Sequence, residues 1–317
     1  MAVLEARDLV VEFAGRRVLR GVSLDVESGR TLGVVGESGC GKSMTGLALM
    51  GMVPGAGRLA SGSIRLEGRE LVGQSERAWR AIRGAEIAMV MQDPFTSLNP
   101  MMRVGEQVAE VLRLHRGMSG REAEREALAM LGQVGIPDPP AAARKYPHQM
   151  SGGQRQRIVL AIAFACRPKV LIADEPTTAL DVTTQAQILR LIRDLQAEHG
   201  TGVMLISHDV GVIGAVAERV AVLYAGRVVE EGSAESVLRA PRHPYTQALL
   251  AAMPSPGRDR LAAIGGQPPD FGALPSGCSF GPRCAQRFDR CAEEPGLLGP
   301  KDRRAACWLP QVAERSR

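Results

Sequence analysis

Eight residues constrain this chain more than any others: Gly36-Glu37-Ser38-Gly39-Cys40-Gly41-Lys42-Ser43. They satisfy G-x-x-x-x-G-K-[ST], the Walker A phosphate-loop pattern. Residues 31–35 before the loop read as a short buried strand and residues 44–50 after it as a helix. The pattern acquires meaning only in that strand–loop–helix setting. Gly36, Gly39 and Gly41 let the backbone turn tightly and aim successive N–H groups inward, those of Ser38 and Cys40 included, so that the loop forms a concave anion site. The helix start adds its positive dipole end. Lys42 brings a cation to the β- and γ-phosphates, and the Ser43 hydroxyl is a magnesium ligand.

The 317 residues leave room for one large α/β domain with an appendage, or for two domains. A hydrophobic share of 45% against 23% charged residues predicts a globular chain with a real core. Aromatic residues make up 3%, too few for a base-stacking platform, and no nucleic-acid partner is expected. No stretch approaches the apolar length that crosses a bilayer. The N-terminal apolar run is too short for a secretory signal, so the chain is expected in the cytoplasm. The net charge of +5 comes from 39 basic and 34 acidic residues mixed along the chain, which reads as a solvated surface.

In chain order, residues 3–13 form a strand with Leu9, Val11 and Phe13 on one face, and residues 18–26 a second strand. Phe13 is either a core side chain or a platform for an adenine ring. Short strands follow at 63–66 and 87–91, with a helix near 75–83 between them. A polar loop containing Gln92 and closed by Pro94 and Pro100 then leads into a helical block. Residues 104–116 are amphipathic, and Ser119 with Glu122 makes a capping box that opens the next helix. Residues from about 93 to 150 therefore read as a helical insertion in a sheet domain. Ser151-Gly152-Gly153-Gln154 starts a further apolar helix, with Ser151 as its N-cap.

Residues 170–173 are four apolar residues running into Asp174 and Glu175. Ligand chemistry belongs at the carboxyl end of such a buried parallel strand. Asp174 suits a magnesium ligand and Glu175 a base that orients the attacking water. Residues 182–199 form a long helix, and residues 203–206 a strand ending at His208, which is either structural or a contact to a γ-phosphate. Residues 219–224 and 227–231 form a hairpin. Beyond residue 240 Pro, Gly and Arg rise and periodicity fades, except for a helix near 245–252.

Residues 36–43, Gln92, Ser151 to Gln154, Asp174-Glu175, Leu180-Asp181 and His208 occur in the order found in ATP-binding subunits of ABC transporters, which this chain resembles over residues 1–240. Met150 stands where that signature normally begins with Leu. Arg242-His-Pro-Tyr245 and the cysteine-bearing end resemble the dipeptide/oligopeptide (and nickel) importer branch. The resemblance implies an α/β P-loop ABC nucleotide-binding domain, a mixed sheet core with a helical subdomain at about 93–150, and a C-terminal extension over 241–317.

It further implies an ATPase powering import of peptides, with nickel or another small solute, or a soluble ABC ATPase outside transport, as the alternatives. Two ATPase subunits, this chain and a homologous, non-identical one, would meet head to tail, with ATP between the loop of one and the signature of the other. In that arrangement Phe13 stacks on adenine, and Ser43 and Asp174 (through water) organise Mg²⁺. Gln92 senses the γ-phosphate at the metal, Glu175 activates water and His208 steadies the γ-phosphate. Ser151, Gly152, Gly153 and Gln154 serve the partner's ATP, and Asp181 crosses the interface. Two membrane-spanning permease subunits and, indirectly, an extracytoplasmic binding protein complete the assembly, which places this chain at the cytoplasmic face of the membrane.

Cys278, Cys284, Cys291 and Cys307 follow a C-x5-C-x6-C-x15-C pattern without the short knuckles that zinc ribbons favour. In a cytoplasmic chain four clustered thiols point to a metal before disulfides. A [4Fe–4S] cluster is the first expectation, as in some similar importer subunits, with zinc, free thiols and disulfides as alternatives.

Overall fold

The apolar runs at 31–35, 170–173 and 203–206 are buried throughout. The structure is a computed structural model that describes residues 2–178, 180–253, 264–300 and 302–310. The chain opens with β1 (Ala2–Phe13) and β2 (Arg16–Glu27), joined at Ala14 and Gly15, both at positive φ (47° and 78°). That is the hairpin-turn geometry whose twist matches the strands. There follow β3 (Thr31–Val35), α1 (Lys42–Leu49), β4 (Gly57–Leu66), β5 (Arg69–Glu70), α2 (Glu76–Ile82) and β6 (Ile87–Val90). Helices alone come next: α3 (Pro94–Ser97), α4 (Val104–Arg116), α5 (Gly120–Gln133), α6 (Pro139–Ala143), a 3-10 turn at Pro147–Gln149, and α7 (Gly152–Phe164). The α/β rhythm resumes with β7 (Val170–Asp174), α8 (Val182–His199), β8 (Gly202–Ile206), α9 (Val210–Val216), β9 (Arg219–Tyr224) and β10 (Arg227–Ser233). α10 (Ala234–Arg239), α11 (Pro244–Ala251) and β11 (Arg303–Ala305) complete the order.

These elements form two compact units, residues 1–3, 26–30 and 73–204 in one and residues 4–25, 31–72 and 205–317 in the other. In the first, β6 and β7 pair in parallel from Ile87 opposite Val170 to Val90 opposite Ala173. α4 packs on α5 and on α6, where Gly105 allows close approach: a Cβ there would stand 2.6 Å from that of Ala143. The Ser119–Glu122 capping box forms as the sequence predicts.

The second unit holds the antiparallel order β2-β1-β4-β5 and a mixed group in which β3 pairs with β9 in parallel while β9, β10 and β11 run antiparallel. All five residues of β3 are buried, and α9 lies against it. Gly33 makes that contact possible, because any Cβ would meet Ile213 Cγ2 at 2.3 Å.

Three expectations need correcting. β1 does not alternate evenly: Asp8 takes φ 49°, the pairing with β4 shifts register between Arg7 and Val10, and the buried set changes from Leu4 and Ala6 to Leu9 and Val11. A bulge of this kind turns side chains to the other face. β4 begins at Gly57 rather than residue 63, because its first half is mostly polar or exposed and carries no period-2 signal. Cys166, which the apolar run 158–166 places in the helix opened by Ser151, lies past the end of α7, in a turn where its thiol meets Val111 O at 3.9 Å.

The chain after residue 240 packs more fully than its composition predicts. β11 adds to the edge of β10, Glu230 opposite Ala305, and Ala306 N–H donates to Val229 O at 2.7 Å. Tyr224, Tyr245 and Phe280 form a buried trio with centroids 4.5 to 5.4 Å apart. The chain has only three tyrosines, and two are spent here. Each such ring pair adds about 0.5–1.5 kcal/mol beyond area burial.

Candidate functional site

The phosphate loop connects β3 to α1. Gly36 has φ 154°, and a Cβ on it would stand 2.3 Å from Leu223 O and 2.7 Å from Cys40 Sγ, so only glycine fits. Gly41 is the N-cap of α1 at φ 108°, and no side chain caps the helix. The orphan N–H groups of the first turn are therefore left to solvent or to an anion. Lys42 is buried, its Nζ donating to Gly36 O at 2.7 Å and Glu37 O at 3.0 Å. Ser38, Gly39 and Ser43 are exposed. Cys40 is buried, its N–H donates to Glu37 O at 3.3 Å, and burial pushes its thiol pKa up, so the group is neutral at pH 7. Phe13 is half-buried, with its ring over Gly57, where a Cβ would stand 2.4 Å from the ring edge. His208 is exposed just after β8, beside Ser207, whose hydroxyl accepts from Asp209 N–H at 2.9 Å.

In the other unit β7 ends in buried Asp174. Glu175 next to it has φ 48°, an uncommon conformation for a residue with a side chain and typical of functional turns. Its Oε2 accepts from Gln92 Nε2 at 3.2 Å and from Thr178 Oγ1 at 2.9 Å. The structure thus joins Gln92 and Glu175, which stand 83 residues apart. Ser151 caps α7 with a full box: its Oγ accepts from Gln154 N–H (3.3 Å) while Gln154 Oε1 accepts from Ser151 N–H (3.0 Å). Gly152 and Gly153 stay half-buried, and a Cβ on Gly153 would press Thr184 Cγ2 at 2.9 Å. Asp181 caps α8, accepting from Thr184 N–H (2.9 Å) and Thr184 Oγ1 (2.7 Å), bonds that hold its pKa below the usual aspartate value.

Cys278, Cys284, Cys291 and Cys307 line one cavity, with His243 and Trp308 among its walls. All six cysteines lie among the described residues and carry free thiols. Among the described residues no three His, Cys, Asp or Glu side chains are arranged to hold a single metal ion. One tetrahedral zinc at about 2.3 Å from each sulfur would draw the thiols tightly together. Burial raises the thiols of Cys278 and Cys284 and pushes Cys307 up to about 11, with the three other thiols adding to the Cys307 shift. A group bound there would have to displace protons.

Sequence reasoning missed Tyr245, Arg283 and Glu37. The Tyr245 hydroxyl accepts from Glu37 N–H at 2.8 Å, and Arg283 grips the Glu37 carboxylate. Arg242-His-Pro-Tyr245 and the cysteine-bearing end lie in that neighbourhood, and nothing in either pattern points to the loop.

The profile of the ABC transporter family matches residues 19–178, and that of the oligopeptide/dipeptide transporter C-terminal region matches residues 229–291. The chain is 46% identical over 318 residues to the dipeptide transport ATP-binding protein DppD of Escherichia coli K12, covering 98% of this chain and 97% of that one. It is 48% identical over 317 residues to the oligopeptide transport ATP-binding protein OppD of Bacillus subtilis 168, covering 97% and 88%. Among solved structures, the ATP-binding cassette MJ0796, a dimer in a post-hydrolysis state bound to ADP and Pi, is similar at 28% identity. Its TM-score is 0.64, covering 73% of this chain and 98% of that one.

Proposed function

Since the chain belongs to the ABC transporter ATPases, in the oligopeptide/dipeptide branch, we infer that it is the ATP-hydrolysing subunit that powers a peptide importer. The observation that carries the reading is the phosphate loop: a helix start with no side-chain cap, three glycines that open the backbone, and Lys42 held against the loop. Lys42 and the loop amides bind the phosphates. Ser43, an exposed hydroxyl, is proposed as a direct magnesium ligand, and Asp174, a buried carboxylate, as a water-mediated one. Glu175 takes the proton of the attacking water, and Gln92 and Thr178, both bonded to Glu175 Oε2, orient it. His208 steadies the γ-phosphate, and Phe13 stacks on adenine.

A second, homologous ATPase subunit offers its own loop to Ser151, Gly152, Gly153 and Gln154 of this chain, and Asp181 stands at that interface. The dimeric relative bound to ADP and Pi supports such pairing. ATP satisfies both halves at once, so its binding shifts the population toward closure and its hydrolysis releases it. No helix among the described residues is long and apolar enough to cross a membrane. Transport therefore needs permease subunits, which this chain serves from the cytoplasmic face of the membrane. The proposed division is an ATPase domain over residues 1–240, with helices at about 93–150, and an extension over 241–317, of which 254–263, 301 and 311–317 lie outside the described residues.

The four thiols of the shared cavity suit a [4Fe–4S] cluster, which Cys278, Cys284, Cys291 and Cys307 would hold as thiolates. When bound it supplies a crosslink among four points of an irregular segment. Anaerobic purification is expected to yield iron and sulfide with visible absorbance, and stoichiometric zinc without iron would reject the cluster. For the ATPase reading, Glu175→Gln should keep MgATP binding while turnover falls by about 10²-fold or more. Unchanged turnover would remove Glu175 from the role of base.

A further inference from the structure

The phosphate loop is gripped by two side chains from beyond residue 240. Tyr245, in the first turn of α11, is fully buried, and its hydroxyl accepts the Glu37 N–H at 2.8 Å. Arg283 donates through both terminal nitrogens to the Glu37 carboxylate, at 2.7 and 2.9 Å, and its side chain is only 5% exposed. It also donates to the Tyr224 hydroxyl at 3.3 Å and to Gly265 O at 2.8 Å. Two-pronged guanidinium–carboxylate pairs are the strong and geometrically specific ones. With the arginine withdrawn from water, breaking the pair leaves a charge stranded.

Both anchors are themselves built firmly. The buried Glu230 carboxylate accepts from Arg242 N–H at 2.6 Å and from His243 N–H at 3.0 Å. His243 Nδ1 then caps α11 by accepting the Tyr245 N–H at 3.0 Å, and Pro244 starts the helix. Arg283 lies against the Phe280 and Tyr224 rings, 5.9 and 5.8 Å from their centroids. At the loop, Lys42 Nζ donates to Glu37 O, the carbonyl of the same residue whose amide and carboxylate are held.

We propose that Tyr245 and Arg283 are positioning residues for the phosphate loop, clamping Glu37 so that the Gly36–Glu37 backbone and Lys42 are preset to receive the phosphates of MgATP. Neither touches the nucleotide; each acts through Glu37. The proposal rests on the nucleotide-site reading above and adds a part to it. It assigns the tyrosine of Arg242-His243-Pro244-Tyr245 a task at the loop, with the histidine and proline placing it. Arg283 directly precedes Cys284, so the residue that grips Glu37 is joined through the backbone to a wall of the thiol cavity.

The test is titration of the full chain with MgATP, with thermal unfolding measured on each variant. Tyr245→Phe removes a single oxygen and keeps the ring, and is expected to weaken MgATP about threefold. Arg283→Gln removes the charge pair and should weaken it about tenfold, with Arg283→Lys recovering part of the loss. Combining Glu37→Gln with Arg283→Gln should be no worse than Arg283→Gln alone, since both break one interaction. In steady-state turnover KM should rise while kcat changes little. Folded variants that bind MgATP as wild type does, or losses that add in the double variant, would overturn the proposal. A wild-type chain that fails to bind MgATP would bring down the nucleotide-site reading with it, whereas wild-type binding with unaffected variants leaves that reading standing and defeats only the clamp.

Discussion

α1 and α7 both start inside glycine-containing motifs, yet their first turns are built in opposite ways. α1 starts from Gly41, with a left-handed cap and no side chain on its orphan amides. α7 starts from Ser151, whose hydroxyl and the Gln154 side chain close a reciprocal box. The first end is prepared for an outside acceptor and is held in shape by contacts beneath and behind it. The second satisfies part of its own N-terminus and keeps its shape without a ligand, leaving the half-buried Gly152 and Gly153 for what comes to it. In the proposed pairing of two subunits, the contrast would give the loop most of the binding and the signature a second, weaker hold.

The largest test of that contrast is Lys42→Ala, expected to lower MgATP affinity about 100-fold, while Ser151→Ala leaves the affinity of the isolated chain nearly unchanged; equal losses would erase the distinction. Next in size is stability. Ser151→Ala should cost about 1 kcal/mol, a fall of about 2–4 °C in Tm, whereas a helix without a side-chain cap has no such contribution to lose. A smaller effect sharpens the same point at α8, capped by Asp181. Thr184 lowers the Asp181 pKa, so this cap stabilises the chain above the ordinary aspartate value and loses its contribution as pH falls through the lowered one. Asp181→Asn should flatten the acid limb of a Tm-against-pH curve, and an unchanged limb would remove the cap from the account.

Much of this site is legible in the chain because its parts are local. A cap and the amide it binds are three residues apart, as in Ser151 with Gln154, Ser119 with Glu122 and Asp181 with Thr184. The long apolar strands and α4 and α8 appear where their periodicity runs without interruption. The bulge at Asp8 was illegible because one residue in a left-handed conformation reverses a pattern without changing its composition. β11 was illegible because three residues are too few to show a period, and its pairing with β10 depends on an edge some seventy residues earlier in the chain.

The sequence by itself determined the strand, loop and helix of the phosphate site, the capped starts of α5 and α7 and the family, since backbone sterics and hydrogen bonds between near neighbours act within a few residues. Only the tertiary structure decided that Gln92 meets Glu175, that four distant thiols share one cavity, and that Arg283 reaches Glu37 across 246 residues. Such pairings leave no periodic trace, because they form only when packed elements bring distant side chains within bonding distance.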